Sequence, residues 1–244
     1  DPDYVTYVWF DALTNYLSIP RSRGEEAELW PADIHVIGKD ILKFHAVYWP
    51  IMLKAADLEL PKQVLVHGWW QKDNQKMSKS TGNVVDPITV INDWGLDAFR
   101  YYVVRELAIG PDGNWTDEGF AARYGAELAN GLGNLMNRSL SMLNRYREGV
   151  VPEPNDELSP EAIAARNKLV KELKSNDLQG GLRTIWTYIA RVNQYVDQTA
   201  PFKMAKDPEQ TGRLSEVLYT LVECCGLVGV WVLRYLPVTS RWVY

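Results

Sequence analysis

The 244-residue chain carries 26 Lys and Arg against 31 Asp and Glu, a formal net charge of −5 with its three histidines neutral. Its 46% hydrophobic and 23% charged residues are an ordinary globular balance, which excludes a disordered polyelectrolyte and a disulfide-stapled miniprotein and leaves room for one large domain or two smaller ones. Cys224 and Cys225, the only cysteines, are adjacent, a poor geometry for a strain-free bridge, so a reducing, intracellular compartment is expected, the cytoplasm first and an organelle as the alternative. The longest uncharged apolar run near the C-terminus, Cys224 to Leu233, is shorter than the roughly 20 residues that span a bilayer, so no membrane is expected. The opening Asp-Pro-Asp-Tyr has no initiator Met and no basic or Arg/Ser-rich targeting stretch; it reads as an internal start, and the chain as a fragment.

In chain order, Val5, Tyr7, Val8, Trp9 and Phe10 form a β-branched and aromatic run, and His35-Val-Ile and Val64-Leu-Val are apolar runs ending at Gly38 and Gly68. All three read as buried strands. Between the last two, Leu42, His45, Ala46, Trp49, Met52 and Leu53 recur at three- and four-residue spacing, which predicts a helix over 41–55. Strand alternating with helix over the first 75 residues predicts an α/β fold with a parallel, doubly wound sheet. After Thr116 the strand signals stop. Thr116-Asp117-Glu118 and Ser159-Pro160-Glu161 read as helix starts, and helices are expected over 118–148, 160–174, 178–198 and 208–235, with a loop over 150–156 and Pro237 closing the last. The second half is therefore expected to be an all-α bundle. Residues 1–117 hold 11 basic and 17 acidic side chains and residues 118–244 hold 15 and 14, so neither half has the basic stripe that announces a nucleic-acid binder by charge alone. No internal repeat or low-complexity segment is present.

The most specific local signal is Lys76-Met77-Ser78-Lys79-Ser80 followed by Thr81-Gly82-Asn83. Two lysines among small hydroxyl residues ahead of a glycine make a cationic loop suited to phosphates, since Lys supplies a compact charge and hydroxyl and loop N–H groups supply donors. On composition alone such a segment is a solvated surface loop. In its context, however, it resembles the second signature of the class I aminoacyl-tRNA synthetases. Tyr7-Val-Trp-Phe-Asp-Ala-Leu-Thr-Asn-Tyr16, the stretch from His35 to Pro50, Gly95-Leu-Asp-Ala-Phe-Arg-Tyr-Tyr102 and Ala129-Asn-Gly-Leu-Gly-Asn-Leu-Met-Asn-Arg138 are similar to the corresponding stretches of the methionyl-tRNA synthetase family. The resemblance covers nearly the whole chain.

That resemblance implies the second half of a Rossmann-like catalytic domain (1–75), a lysine-loop connecting region (76–117) and a helical anticodon-binding domain (118–244). It implies ATP-dependent activation of L-methionine, with Mg2+ accompanying ATP, and transfer to tRNA(Met). The methionine carboxylate would attack the α-phosphate of ATP, with Lys79 stabilising the departing pyrophosphate and Lys76 assisting. Gly38 and Asp40 would contact the adenylate ribose, and His67 and Gly68 the adenine. Trp9, Ala12, Tyr16, Phe44 and His45 would form the methionine pocket, where aromatic faces suit a thioether. Asn134 and Arg138, four apart on one helix face, would read the anticodon, and Phe202 would stack on an anticodon base where many relatives carry Trp. The first ATP-binding signature and a cysteine zinc site would lie upstream of residue 1, so no metal ligands are expected here and the isolated fragment is expected to be inactive. The alternative functions are a non-catalytic tRNA-binding module derived from a synthetase, and an interaction bundle attached to a degenerate nucleotide fold.

Overall fold

A computed structural model describes the chain apart from Asp1, Pro2, Tyr4, Thr6, Lys79, Leu107 and Tyr244 and the side chains of Trp242 and Val243. The chain divides into two compact units, Asp1–Trp70 with Ile109–Gly113, and Gln71–Ala108 with Asn114–Tyr244.

The first unit opens with helix α1 (Val8–Ser22) and the short α2 (Glu26–Leu29), followed by strand β1 (His35–Gly38). A single 3-10 turn, a π-helical turn over Phe44–Tyr48 and helix α3 (Trp49–Ala55) then lead to β2 (Val64–His67). The expected strand at the start is not formed, because Val8, Trp9 and Phe10 begin α1. The helical period outweighs the β-branched run. Trp9, Leu13, Tyr16 and Leu17 make one stripe that packs against Trp49 and Leu53, while Val8 and Phe10 stay exposed. The two other strands form as expected and pair in parallel, Gly38 opposite His67. They are not buried on both faces: His35 and Ile37 are covered and Val36 is 65% exposed.

Ile109–Gly113 is stitched back onto the end of β2. Gly113 N–H donates to the Trp69 carbonyl at 2.9 Å and Trp69 N–H to Asp112 at 2.8 Å. Lys39 Nζ reaches both Asp112 oxygens, at 2.6 and 2.8 Å, and sits 4.2 Å from the centre of the Trp69 ring. Lys39 first, and then the Trp69 N–H, hold the Asp112 carboxyl below its ordinary range. Gly68 is required for this approach, since a Cβ there would overlap the Pro111 carbonyl and lie 2.7 Å from Asp112 N.

In chain order the remaining elements are β3 (Trp70–Lys72), β4 (Gln75–Lys76), α4 (Pro87–Trp94), α5 (Leu96–Glu106) and β5 (Gly113–Trp115), the strands forming a sheet in the order β4–β3–β5. The helices that follow are α6 (Asp117–Arg123), α7 (Asn134–Arg147), α8 (Ser159–Lys174), α9 (Leu178–Thr199), α10 (Pro201–Met204), α11 (Thr211–Val232) and α12 (Ser240–Val243). The predicted helix over 118–148 is continuous, but residues Tyr124–Gly133 in its middle are π-helical, which periodicity alone does not disclose. Thr116 caps α6 by accepting from Gly119 N at 3.0 Å. Ser159 is not a cap: the helix begins one residue earlier than expected, with Leu158 before it and no side-chain cap bond.

α9 and α11 supply the core of this unit, with Leu182, Ile185, Val192, Val196, Val217, Leu221, Val228 and Val232 at 0% exposure. Full burial of each such side chain contributes about 1.5–3 kcal/mol. By length and composition Pro208–Val232 could cross a membrane, which the uncharged-run criterion does not detect; half of its most apolar window is buried inside the protein. Cys224 and Cys225 are free and buried in this core, and burial pushes their thiols up to about 12 and about 11. A polar network joins α5, α6 and the π segment: Glu127 accepts from Tyr101 at 2.5 Å, Arg105 at 3.0 Å and Arg123 at 3.2 Å.

Arg213 makes a forked contact to Glu157, 2.7 Å at each oxygen, and Tyr195 donates to the same carboxylate at 2.7 Å. Arg213 above all holds the Glu157 carboxyl below its ordinary value. A depressed folded pKa means that this stabilisation is present above the unfolded carboxylate value, about 4.3, and is lost as pH falls through the folded one. The difference in urea midpoint between wild type and Glu157→Gln is therefore expected to shrink from pH 6 to pH 3.

Candidate functional site

Two helical segments of the first unit bring the predicted pocket residues together. Trp9, Ala12 and Tyr16 share one face of α1 by their spacing, and the π turn carries Phe44 and His45. Trp9 stacks on Phe44 with ring centres 4.8 Å apart, and His45 lies edge-on to Trp9 at 6.0 Å and to Tyr16 at 5.6 Å. The buried His45 bonds through Nδ1 to the Ile41 carbonyl at 3.0 Å and through Nε2 to the Tyr16 hydroxyl at 2.9 Å. A carbonyl only accepts, so in the neutral ring Nδ1 carries the proton and Nε2 accepts from Tyr16. An aromatic cluster results, with one hydroxyl and one imidazole locked in a known sense; the apolar cavity beside it, lined by Tyr7, Phe10, Leu13, Tyr48, Ile51 and Met52, shares Trp9 with the predicted set. His35, which the sequence places only in a strand, joins this cluster 4.2 Å from the Tyr16 ring. Burial, and then the proximity of His45, lower its pKa, while burial raises that of Tyr16. Tyr16→Phe strands a buried acceptor on His45 and is expected to cost about 1–3 kcal/mol of stability, measured by denaturant unfolding.

At the carboxyl ends of the parallel pair, Gly38 and His67 are register partners. A Cβ on Gly38 would lie 2.5 Å from Asp40 Oδ1 and 3.7 Å from His67 Cε1, so Gly38, Asp40 and His67 are one group and Gly38 leaves room for the carboxylate. His67 Nδ1 bonds to the Gly68 carbonyl at 2.8 Å. The end of a parallel pair, flanked by glycines, is where open α/β sheets bind ligands.

Lys76 ends β4 in the second unit. Lys79 lies outside the described residues. The loop between them is held by a residue to which the sequence assigns no role. Asn83 Oδ1 accepts from Ser78 N at 2.9 Å and from Thr81 Oγ1 at 2.7 Å, and its Nδ2 donates to the Lys76 carbonyl at 3.1 Å. Gly82, at φ +69°, makes the left-handed turn that lets Asn83 point back into the loop. The only sequence signal is an Asn just after a Gly.

Asn134 and Arg138 fall on one face of α7, as their spacing predicts, and line a cavity of about 500 Å³ with Asn193, Gln194 and Asp197 of α9. Asp197 holds the Arg138 guanidinium at 2.7 Å. Phe202 does not line that cavity; it stands on α10, 44% exposed. Among the described residues no group of three or more His, Cys, Asp or Glu is placed to hold a metal ion.

Residues 1–140 match the family model described as tRNA synthetases class I (M). The chain is 46% identical over 250 residues to the methionine–tRNA ligase of Clostridium perfringens, covering 98% of this chain and 39% of that protein. It is 44% identical over 252 residues to the Bacillus subtilis methionine–tRNA ligase, covering 99% of this chain and 38% of the relative. In structure it is similar to Mycobacterium tuberculosis methionyl-tRNA synthetase in complex with methionyl-adenylate, with a TM-score of 0.89 and 36% identity over 99% of this chain and 50% of that one. The chain thus spans well under half the length of the two curated relatives, and across that span both sequence and backbone agree: it belongs to the class I (M) tRNA synthetases.

Proposed function

We propose that the chain is the C-terminal part of the catalytic domain of a methionine–tRNA ligase together with its anticodon-binding domain, working in the cytoplasm. The reaction is attack of the L-methionine carboxylate on the α-phosphorus of ATP, expelling pyrophosphate with its Mg2+, and then transfer of the aminoacyl group to the terminal ribose of tRNA(Met) with release of AMP. In this reading 1–75 is the second half of the Rossmann-like domain, 76–117 the lysine-loop region and 118–244 the anticodon-binding bundle. Trp9, Ala12, Tyr16, Phe44 and His45 hold the methionine side chain. Gly38, Asp40, His67 and Gly68 hold the adenosine, Lys79 and Lys76 act on the phosphates, and Asn134, Arg138 and Phe202 engage the anticodon.

The observation that carries this reading is the aromatic cluster in the first unit. Trp9 and Tyr16 meet Phe44 and His45 from about 30 residues away to give an aromatic wall that holds the hydrogen-bonded Tyr16–His45 pair. Such a wall fits an apolar thioether better than a charged or hydroxylated side chain. The test is methionine-dependent exchange of pyrophosphate into ATP by the full-length protein. Exchange with methionine and not with isoleucine, valine or leucine supports the assignment; exchange driven equally by the branched residues, or none at all, overturns it.

A further inference from the structure

One carboxylate ties together the two turns at the carboxyl ends of the parallel strands. Asp112 Oδ1 accepts from Trp69 N–H at 2.8 Å and from Lys39 Nζ at 2.6 Å, and its Oδ2 accepts from Lys39 Nζ at 2.8 Å. Lys39 stands between Gly38 and Asp40, and Trp69 directly follows Gly68. Trp69 is clamped through both its backbone groups, since Gly113 N–H donates to its carbonyl at 2.9 Å, and Lys39 Nζ lies 4.2 Å from the centre of its ring. All of these residues belong to the first unit. The Lys39 and Asp112 side chains are 36% and 29% exposed. An ion pair this open to water adds little to stability. What it does supply is a fixed spacing between two turns that only the packing brings together.

We infer that Asp112 is a positioning residue of the ATP site, an inference that rests on the proposed adenosine-binding roles of Gly38, Asp40, His67 and Gly68. It sets the Gly68–Trp69 backbone against the Lys39–Asp40 turn, so that the adenine- and ribose-binding groups stand at a fixed distance before the nucleotide arrives. Binding groups carried on two separate turns must be held within about 0.5 Å of their productive geometry, which is the task of neighbours whose own bonds lock them. A carboxylate suits this task because its two oxygens accept from an ammonium and a backbone N–H at once. Movement of one turn against the other weakens the hold on the nucleoside. The aromatic cluster of Trp9, Tyr16, Phe44 and His45 keeps its own ring contacts and its Tyr16–His45 bond, so the hold on methionine changes little.

The experiment is methionine-dependent pyrophosphate exchange by the full-length protein, with KM measured separately for ATP and for methionine. Asp112→Ala is expected to raise the KM for ATP about tenfold while the KM for methionine changes about twofold or less. Asp112→Asn keeps an oxygen for the Trp69 N–H, and should bring the KM for ATP back to within about threefold of wild type, the remainder reflecting a neutral acceptor in place of a charged one. A purely structural role would lower the amount of active enzyme, and with it kcat, and leave both KM values in place. That result for Asp112→Ala, or an equal rise in both KM values, overturns the inference and leaves the ATP-site reading standing. Absence of methionine-dependent exchange in wild type overturns both. Should Asp112→Ala fail to fold by circular dichroism, Asp112→Glu decides, because it keeps the charge and displaces it by one methylene. Its KM for ATP must rise at least about threefold with that for methionine unchanged, and an unmoved KM for ATP rejects the role.

Discussion

Lys79→Ala in the full-length protein is expected to slow methionine-dependent pyrophosphate exchange about 10²- to 10³-fold, with the KM for ATP changed only a few-fold. Negative charge accumulates on the departing pyrophosphate as the bond to the α-phosphorus breaks, so a fixed ammonium there is worth more in the transition state than in the bound substrate. Loss of an interaction made chiefly in the transition state lowers kcat and kcat/KM together. Lys79→Arg should restore little, because a broad planar guanidinium does not replace a compact point charge. Asn83→Ala removes the three hydrogen bonds that close the loop between Lys76 and Asn83, and should give an intermediate loss. Steady-state exchange kinetics on the three variants provide the check. A Lys79→Ala variant that raises KM at unchanged kcat would instead make this lysine a ground-state phosphate clamp.

Gly68→Ala is expected to lower the unfolding free energy by about 3 kcal/mol, at the upper end of overpacking costs, because the added methyl meets backbone rather than a side chain that can rotate away. The overlapping atoms are the Pro111 carbonyl and Asp112 N, so the substitution must prise Ile109–Gly113 from the end of β2. The contacts released are Trp69 N–H to Asp112, Gly113 N–H to the Trp69 carbonyl and the Lys39–Asp112 pair. Denaturant unfolding measures the loss. Hydrogen exchange should show faster opening at Trp69 and Gly113 while α9 and α11 stay protected. Uniform destabilisation with unchanged exchange at Trp69 would contradict this account.

Much of the fold is legible in the residue order alone. The parallel strands ending at Gly38 and Gly68, the helices of the second half and the Thr116 cap all follow from local period and capping chemistry, which are properties of neighbours along the chain. The lysine loop and the stretches around Trp9 and His45 carry the family in the same way. Val8–Phe10 reads as a strand by composition but folds as helix, because the stripe from Trp9 to Leu17 finds Trp49 and Leu53 to pack against. A helical partner more than 30 residues away is invisible to a window of ten.

Direction and hydrogen-bond satisfaction, by contrast, come from tertiary packing. Resemblance puts Tyr16 and His45 in one pocket; the Ile41 carbonyl decides which imidazole nitrogen faces the hydroxyl. Gly68 is marked by sequence as a strand end; the approach of Pro111, 43 residues on, supplies the reason for a glycine. The lysine signature spells out Asn83 without its bonds. Some of these partners are local in sequence, as the Ile41 carbonyl is to His45 and Lys76 to Asn83, but the Tyr16 hydroxyl and the Pro111 carbonyl are brought close by the packing of segments that local pattern does not bring together.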